Sequence, residues 1–220
     1  MRAALARRLI ALVERHKMPL LLTAEAAMFA TSIQLSDFPA LSMAHASKFP
    51  TTPSVESNAE QLRKNNFAEQ DAASFVKGVC DWGGYSGVGG RVLKRNAHME
   101  VAAALREADA LLALSSPQIR KALERMNQLN CLGTPSFASK HLRFLRPDLC
   151  PVFDSFLQVA LPYAFTPTGY QGFAFDCVQI ATELNTRNVQ GLPRRAQQLW
   201  FAADVEAAIY MHVARLRSDA

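Results

Sequence analysis

Residues 132–155 read LGTPSFASKHLRFLRPDLCPVFDS. Leu132-Gly133-Thr134-Pro135 is a short turn, and on either side of it the sequence reads as helix. The helix before it is predicted over Pro117–Leu129, with Ser116 as N-cap and Pro117 at its first position. The helix after it is the basic stretch Ser136–Leu145. Together they form a hairpin over 117–146, joined by the turn Cys131–Pro135. The start of a helix presents unpaired amides and the positive end of the helix dipole. With Ser136, Ser139, Lys140, His141 and Arg143 nearby, the second helix of the hairpin offers a phosphate-binding corner.

Chain length then links Lys140 to Asp154. From Lys140 to Leu145 a helix advances only about 8 Å, at roughly 1.5 Å per residue. Pro147 and Pro151 bracket an extended return, and the stretch Pro147–Asp154 can span about 27 Å. Asp154, which opens a helix expected over 155–162, can therefore come back beside Lys140. Each residue also has an ordinary reading. A lysine on a helix is usually a solvated charge, and an aspartate before Ser-Phe-Leu is usually an N-cap.

Outward from this stretch, the chain of 220 residues is 50% hydrophobic and 20% charged, enough apolar mass for a core of one large or two small domains. Alanine and leucine dominate and β-branched runs are scarce, so the expected class is all-α. There are 24 Lys and Arg against 19 Asp and Glu, a formal charge of +5, which favours polyanionic partners. Cys80, Cys131, Cys150 and Cys177 are far apart, with no CxxC and no paired histidines nearby. Neither a metal site nor a disulfide framework is expected, and a reducing cytoplasm is the simplest setting. Arg2, Arg7 and Arg8 precede an apolar stretch, but Glu14, Arg15, His16 and Lys17 interrupt it. No membrane span or secretory signal is expected there.

Along the chain, helices are expected over 2–17 and about 23–35, broken at Pro19. A long loop is expected from Ser36 to Ser57, on the strength of Pro39, Pro50, Pro53 and many Ser and Thr. Further helices are predicted over 58–66, 69–80, 92–113, 173–186 and 193–216. Asp81–Gly90, DWGGYSGVGG, reads as a flexible inter-helix turn, because no strand feeds it and no complete phosphate-loop pattern is present. The expected organisation is an N-terminal part, 1–60, of helices and a long loop, followed by a helical domain, 61–220.

The 132–155 stretch resembles the core of the helix-hairpin-helix DNA glycosylase superfamily, in its bacterial 8-oxoguanine-glycosylase-fold branch. The similarity extends more loosely through Trp82 to Asn96, Gly169-Tyr170 and Phe175-Asp176-Cys177, covering about residues 75–180. In that superfamily the hairpin's second helix bears a lysine, and an aspartate follows shortly after. Lys140 and Asp154 stand in those places. The chain departs from the family in its LGTPSF turn, where better-known members carry a glycine-rich LPGVG-type turn, and in a shorter Lys-to-Asp spacing. The resemblance implies excision of a damaged or modified base from double-stranded DNA, with an oxidised purine such as 8-oxoguanine favoured. It also implies strand cleavage through a lysine Schiff base, with Lys140 as nucleophile and Asp154 as the carboxylate that steadies positive charge at the sugar. A modified pyrimidine, a hypermodified foreign base, a non-catalytic DNA-gripping module, and a monofunctional glycosylase in which water attacks and Lys140 only positions DNA are the alternatives.

Such an enzyme rotates its target base out of the duplex and holds it between flat or apolar groups. Trp82, beside the glycines, is the first choice for this pocket, followed by Trp200, Phe137 and Asp176; plain core packing is the competing role for each aromatic. Arg91, with Lys94 and Arg95, and Arg194 with Arg195, are basic groups that either contact DNA or form solvated faces. The expected protein is a monomeric, cytoplasmic, nucleoid-associated enzyme with a helix-hairpin-helix core and an N-terminal helical extension, needing no cofactor or metal.

Overall fold

The computed structural model describes residues 33–192 and 198–218. Every regular element among them is a helix, so the all-α expectation holds. After a single 3-10 turn at Leu35–Asp37, the helices are α1 (Phe38–Lys48), α2 (Thr52–Lys64), α3 (Glu69–Trp82), α4 (Ser86–Arg95) and α5 (His98–Ala113). They continue as α6 (Ile119–Asn127), α7 (Pro135–Leu145), the single turn α8 (Ser155–Gln158), α9 (Pro167–Thr186) and α10 (Ala202–Ser218). The helix expected over 2–17 and most of that over 23–35 lie outside the described residues, as do Arg194 and Arg195.

The long loop expected from Ser36 to Ser57 is instead two helices. Pro39 and Pro53 sit in the first turns of α1 and α2, where proline's missing N–H costs nothing, and only Pro50 lies in the link between them. Nor is this region an extension of the fold. Phe38, Leu41, Val55, Ala59 and Leu62 are buried in the common core, α1 packs on α10, and α2 packs on α3 and α7. The expected boundary near residue 60 falls inside α2.

Helix α3 shows why such segments are helical. Ala72, Phe75, Val76, Val79 and Cys80 repeat at helical spacing and are all buried, while Glu69 and Asp71 lie in the first turn, where the dipole favours acids. The helix expected over 92–113 is broken at Asn96, whose backbone is extended. Asn96 is buried, and its side chain is committed elsewhere: Oδ1 accepts from the Asn130 amide at 2.9 Å, and Nδ2 donates to Val92 O at 2.8 Å and Asn130 O at 3.1 Å. The break between α4 and α5 thereby holds the turn between α6 and α7. Most of the glycine-rich segment is helical too, since α3 runs to Trp82 and α4 begins at Ser86, leaving only Gly83–Tyr85 as the turn.

The helix pair α6–α7 forms as expected, and the turn between them places Cys131 at φ 72°. Helix α6 starts later than predicted, at Ile119, with Gln118 rather than Ser116 before it. Helix α7 is the central helix. It touches α2, α3, α5 and α6, and all of its residues except Ser136 and Phe137 are buried.

Candidate functional site

Because α7 is enclosed, Lys140, His141 and Arg143 lie inside the protein, and each is held by a specific partner. The segment after α7 is bound to three helices. Pro147 O accepts from the Ala203 amide at the start of α10 at 3.0 Å. Pro151 O accepts from the Tyr170 hydroxyl of α9 at 3.0 Å. The Val152 amide donates to Glu206 Oε2 of α10 at 3.3 Å, and the Phe153 amide donates to Ser139 Oγ of α7 at 3.0 Å. Buried amides and carbonyls require such partners, and these fix the path of the chain up to Asp154.

At the end of that path Asp154 caps α8. Its Oδ1 accepts from the Phe156 and Leu157 amides, both at 3.1 Å, while Oδ2 faces Lys140 Nζ at 3.4 Å. The capping role and the pairing role are thus both filled, one by each oxygen. Lys140 also donates to Ser136 O at 3.2 Å and Ser136 Oγ at 3.3 Å, and its side chain is only 6% exposed. Burial pulls its pKa below the usual lysine value, against the opposing pull of Asp154. Chemically, this is an amine held close to a carboxylate and biased towards its neutral, nucleophilic form.

Two further carboxylates complete the cluster. Glu56 of α2 pairs with Arg143 at 2.8 Å. Glu206 is wholly buried, and burial, reinforced by the charge of Asp154, pushes its carboxyl up to about 8. Arg143, Lys140 and the Val152 amide pull in the other direction.

Three of the expected DNA contacts face the core instead. Ser139 is fully buried on the Phe153 backbone. The Nδ1 of His141 lies 2.8 Å from Phe137 O, which fixes the ring proton there, and burial pushes its pKa down to about 4, so the ring is neutral at pH 7. Arg143 is buried on Glu56, with its guanidinium 4.3 Å from the centroid of the Phe144 ring. Ser136 is partly accessible and Arg91 is exposed.

The expected base pocket is likewise redistributed. Trp200 is fully buried, with Nε1 donating to Val189 O at 2.8 Å and its ring edge-on to Phe38; it is a core residue. Trp82 is half-buried, tied to Thr52 Oγ1 at 2.9 Å and packed between Phe49 and Phe144. Asp176 accepts from the Tyr163 hydroxyl, and burial raises its pKa. Phe137 is half-buried, edge-on to Tyr85. Tyr85, not Trp82, is the aromatic over the amine, its ring centroid 5.7 Å from Lys140 Nζ. A separate cavity of about 280 Å³ at the start of α6, lined in part by Gln118, Arg120, Lys121 and Phe175, includes none of the expected site residues.

Glu206, Glu56, Gly83 and Tyr85 were not singled out from the sequence. Glu206 had a legible signal, a carboxylate inside the apolar run AADVEAAI of residues 202–209. Glu56 had none, because it stands in a segment that reads as loop.

Cys80, Cys131, Cys150 and Cys177 are free thiols. Among the described residues no group of three or more His, Cys, Asp or Glu side chains is placed to hold a metal ion, and no helix is long and apolar enough to cross a membrane. The fold and the site define an all-α protein with a buried lysine–carboxylate pair. No protein-family model, curated protein or solved structure matches the chain.

Proposed function

We propose that the protein is a helix-hairpin-helix DNA glycosylase that removes a damaged or modified base from double-stranded DNA and cleaves the abasic strand through a Schiff base on Lys140. The observation that carries this reading is the 3.4 Å approach of Lys140 Nζ to Asp154 Oδ2, made inside the protein on the second helix of a helical hairpin. An isolated surface pair would carry no such weight. In the proposed reaction the lone pair of the amine attacks C1′ of the deoxyribose. The bond from C1′ to the base nitrogen breaks, and its electron pair leaves on the base, which takes up a proton. The carboxylate of Asp154 stabilises the positive charge that builds on the sugar in the transition state. The C1′–O4′ bond then breaks as the nitrogen lone pair forms the C=N bond, and O4′ takes up the amine's second proton to become a hydroxyl. Loss of a C2′ proton from the resulting Schiff base breaks the C3′–O bond and expels the 3′ phosphate. For the substrate, the resemblance in sequence favours an oxidised purine such as 8-oxoguanine.

One observation favours a structural reading of the same pair: Asp154 caps α8 whether or not Lys140 reacts. Borohydride separates the two. Incubated with duplexes that each carry a single lesion, the protein is expected to become covalently trapped on at least one of them. Lys140→Gln should abolish the adduct while still binding DNA. Undiminished trapping by that variant removes Lys140 from the mechanism, and neither adduct nor released base on any lesion removes the glycosylase reading.

A further inference from the structure

The turn between α3 and α4 has no part in the reaction set out above, yet it encloses the reacting amine. Gly83 has φ −77°, a value open to any residue, so its backbone does not require glycine. Space does. A Cβ at Gly83 would stand 3.2 Å from Cδ and 3.3 Å from Cε of Lys140, inside the separation of about 3.5–4.0 Å at which carbon atoms pack. Gly84 follows at φ 76°, the left-handed region, and turns the chain back over the lysine. Tyr85 then lays its ring 5.7 Å from Lys140 Nζ, within range of a cation–π attraction. Although 48% exposed, Tyr85 rests edge-on against Phe137, with ring centroids 5.4 Å apart. The methylenes of Lys140 therefore run against Gly83, and its ammonium lies near both the Tyr85 ring and the Asp154 carboxylate.

We propose that Gly83–Gly84–Tyr85 is a positioning clamp for Lys140: Gly83 sets the path of the methylene chain, and Tyr85 covers the amine, so that an electrophilic carbon reaches it only past the Tyr85 ring. The clamp rests on reading Lys140 as a reactive amine. Gly83 and Tyr85 are positioning residues, acting through Lys140.

The test needs no DNA. Brief reductive methylation with formaldehyde and cyanoborohydride, followed by peptide mass mapping, gives the reaction rate of each lysine; the exposed Lys48, Lys64, Lys77, Lys94 and Lys121 serve as internal references. In the wild-type protein Lys140 should react more slowly than all five. Tyr85→Ala should speed Lys140 about fivefold or more, the scale of one cation–π contact, and leave the references unchanged. Tyr85→Phe keeps the ring and should stay within about twofold of wild type. Gly83→Ala should change the Lys140 rate by a similar factor and shift the pH at which it is half-maximal. Gly90→Ala, where a Cβ meets nothing within 4 Å, should not.

A Lys140 rate within about twofold of wild type in both Tyr85→Ala and Gly83→Ala overturns the clamp. So does a Tyr85→Ala protein in which all the lysines speed up together. If Gly83→Ala does not fold, the two Tyr85 variants decide. Borohydride trapping on lesion DNA is run alongside: if the glycosylase reading is wrong, wild type gives no adduct while the labelling pattern still stands or falls by itself.

Discussion

One oxygen of Asp154 caps α8 while the other faces Lys140, and substitution can separate the two roles. Asp154→Asn keeps an acceptor for the Phe156 and Leu157 amides but removes the charge. Its melting temperature should stay near that of wild type, while the proposed base excision, followed in single turnover, falls on the order of 10²–10³-fold. Asp154→Ala loses the cap as well and should cost a further ~1 kcal/mol in urea unfolding. An Asn variant with full activity would leave Asp154 only its cap.

Glu206 carries a different signature, one of pH. Folding raises its pKa from 4.5 to about 8, so between those values the folded protein holds a proton that the unfolded chain releases. Stability from this group is therefore fully present below 4.5 and falls as pH rises towards about 8, where it levels off. The slope is at most about 1.4 kcal/mol per pH unit. Glu206→Gln has no proton to release. Urea midpoints of the two proteins should diverge across this window, with the variant gaining on wild type as pH rises; parallel curves would show that Glu206 does not titrate there.

At the scale of elements, the hairpin turn is held from outside the hairpin. Asn96 satisfies both the amide and the carbonyl of Asn130 across the break between α4 and α5. Asn96→Ala strips these partners from Asn130, which is exposed and can turn to water, so the cost is that of the hydrogen bonds themselves, about 0.5–1.5 kcal/mol each. The loss should appear in urea unfolding and, by hydrogen exchange, first in the amides of the α6–α7 turn. A variant of wild-type stability would mean that water replaces the side chain at no cost. Helix α7 depends on its surroundings in the same way. It carries two charged side chains into the interior, and each has a partner there, Lys140 on Asp154 and Arg143 on Glu56.

For the whole molecule, burial of α7 relocates any DNA-binding surface. Arg143 is buried against Glu56, whose side chain is 18% exposed, so Arg143→Ala should destabilise, by about 3 kcal/mol or less, under the range of a fully buried broken pair. The protein that still folds should keep the salt dependence of the proposed DNA binding. Arg91, exposed on α4 beside Lys94 and Arg95, should behave in the opposite way. Arg91→Ala should leave stability alone and reduce the slope of log affinity against log salt by about 0.9. Fluorescence anisotropy on one duplex at several salt concentrations checks both, and an Arg143 variant that folds normally with a shallower slope would reverse the assignment. The net charge of +5 fits a polyanionic partner in either case.

The all-helical class, the α6–α7 hairpin and the opening of α8 at Asp154 were legible in the sequence because each rests on local physics: apolar spacing, a proline–glycine turn and a capping side chain. The approach of Asp154 to Lys140 was legible only as a possibility of chain length. The bonds from Ala203, Tyr170, Glu206 and Ser139 that fix it come from three helices, two of them distant in sequence. Pro39 and Pro53 misled because a proline opening a helix and a proline in a loop look alike until the helix has something to pack on. Ser139, His141 and Arg143 lie in the core and not on a phosphate-facing surface, and Trp200 takes the core-packing role that the sequence left open beside base stacking, since a sequence lists side chains without saying which face of a helix is covered. Which charges are buried was decided by the packing of α2, α3, α5 and α6 around α7, because burial is a property of neighbours, and only the tertiary structure supplies them.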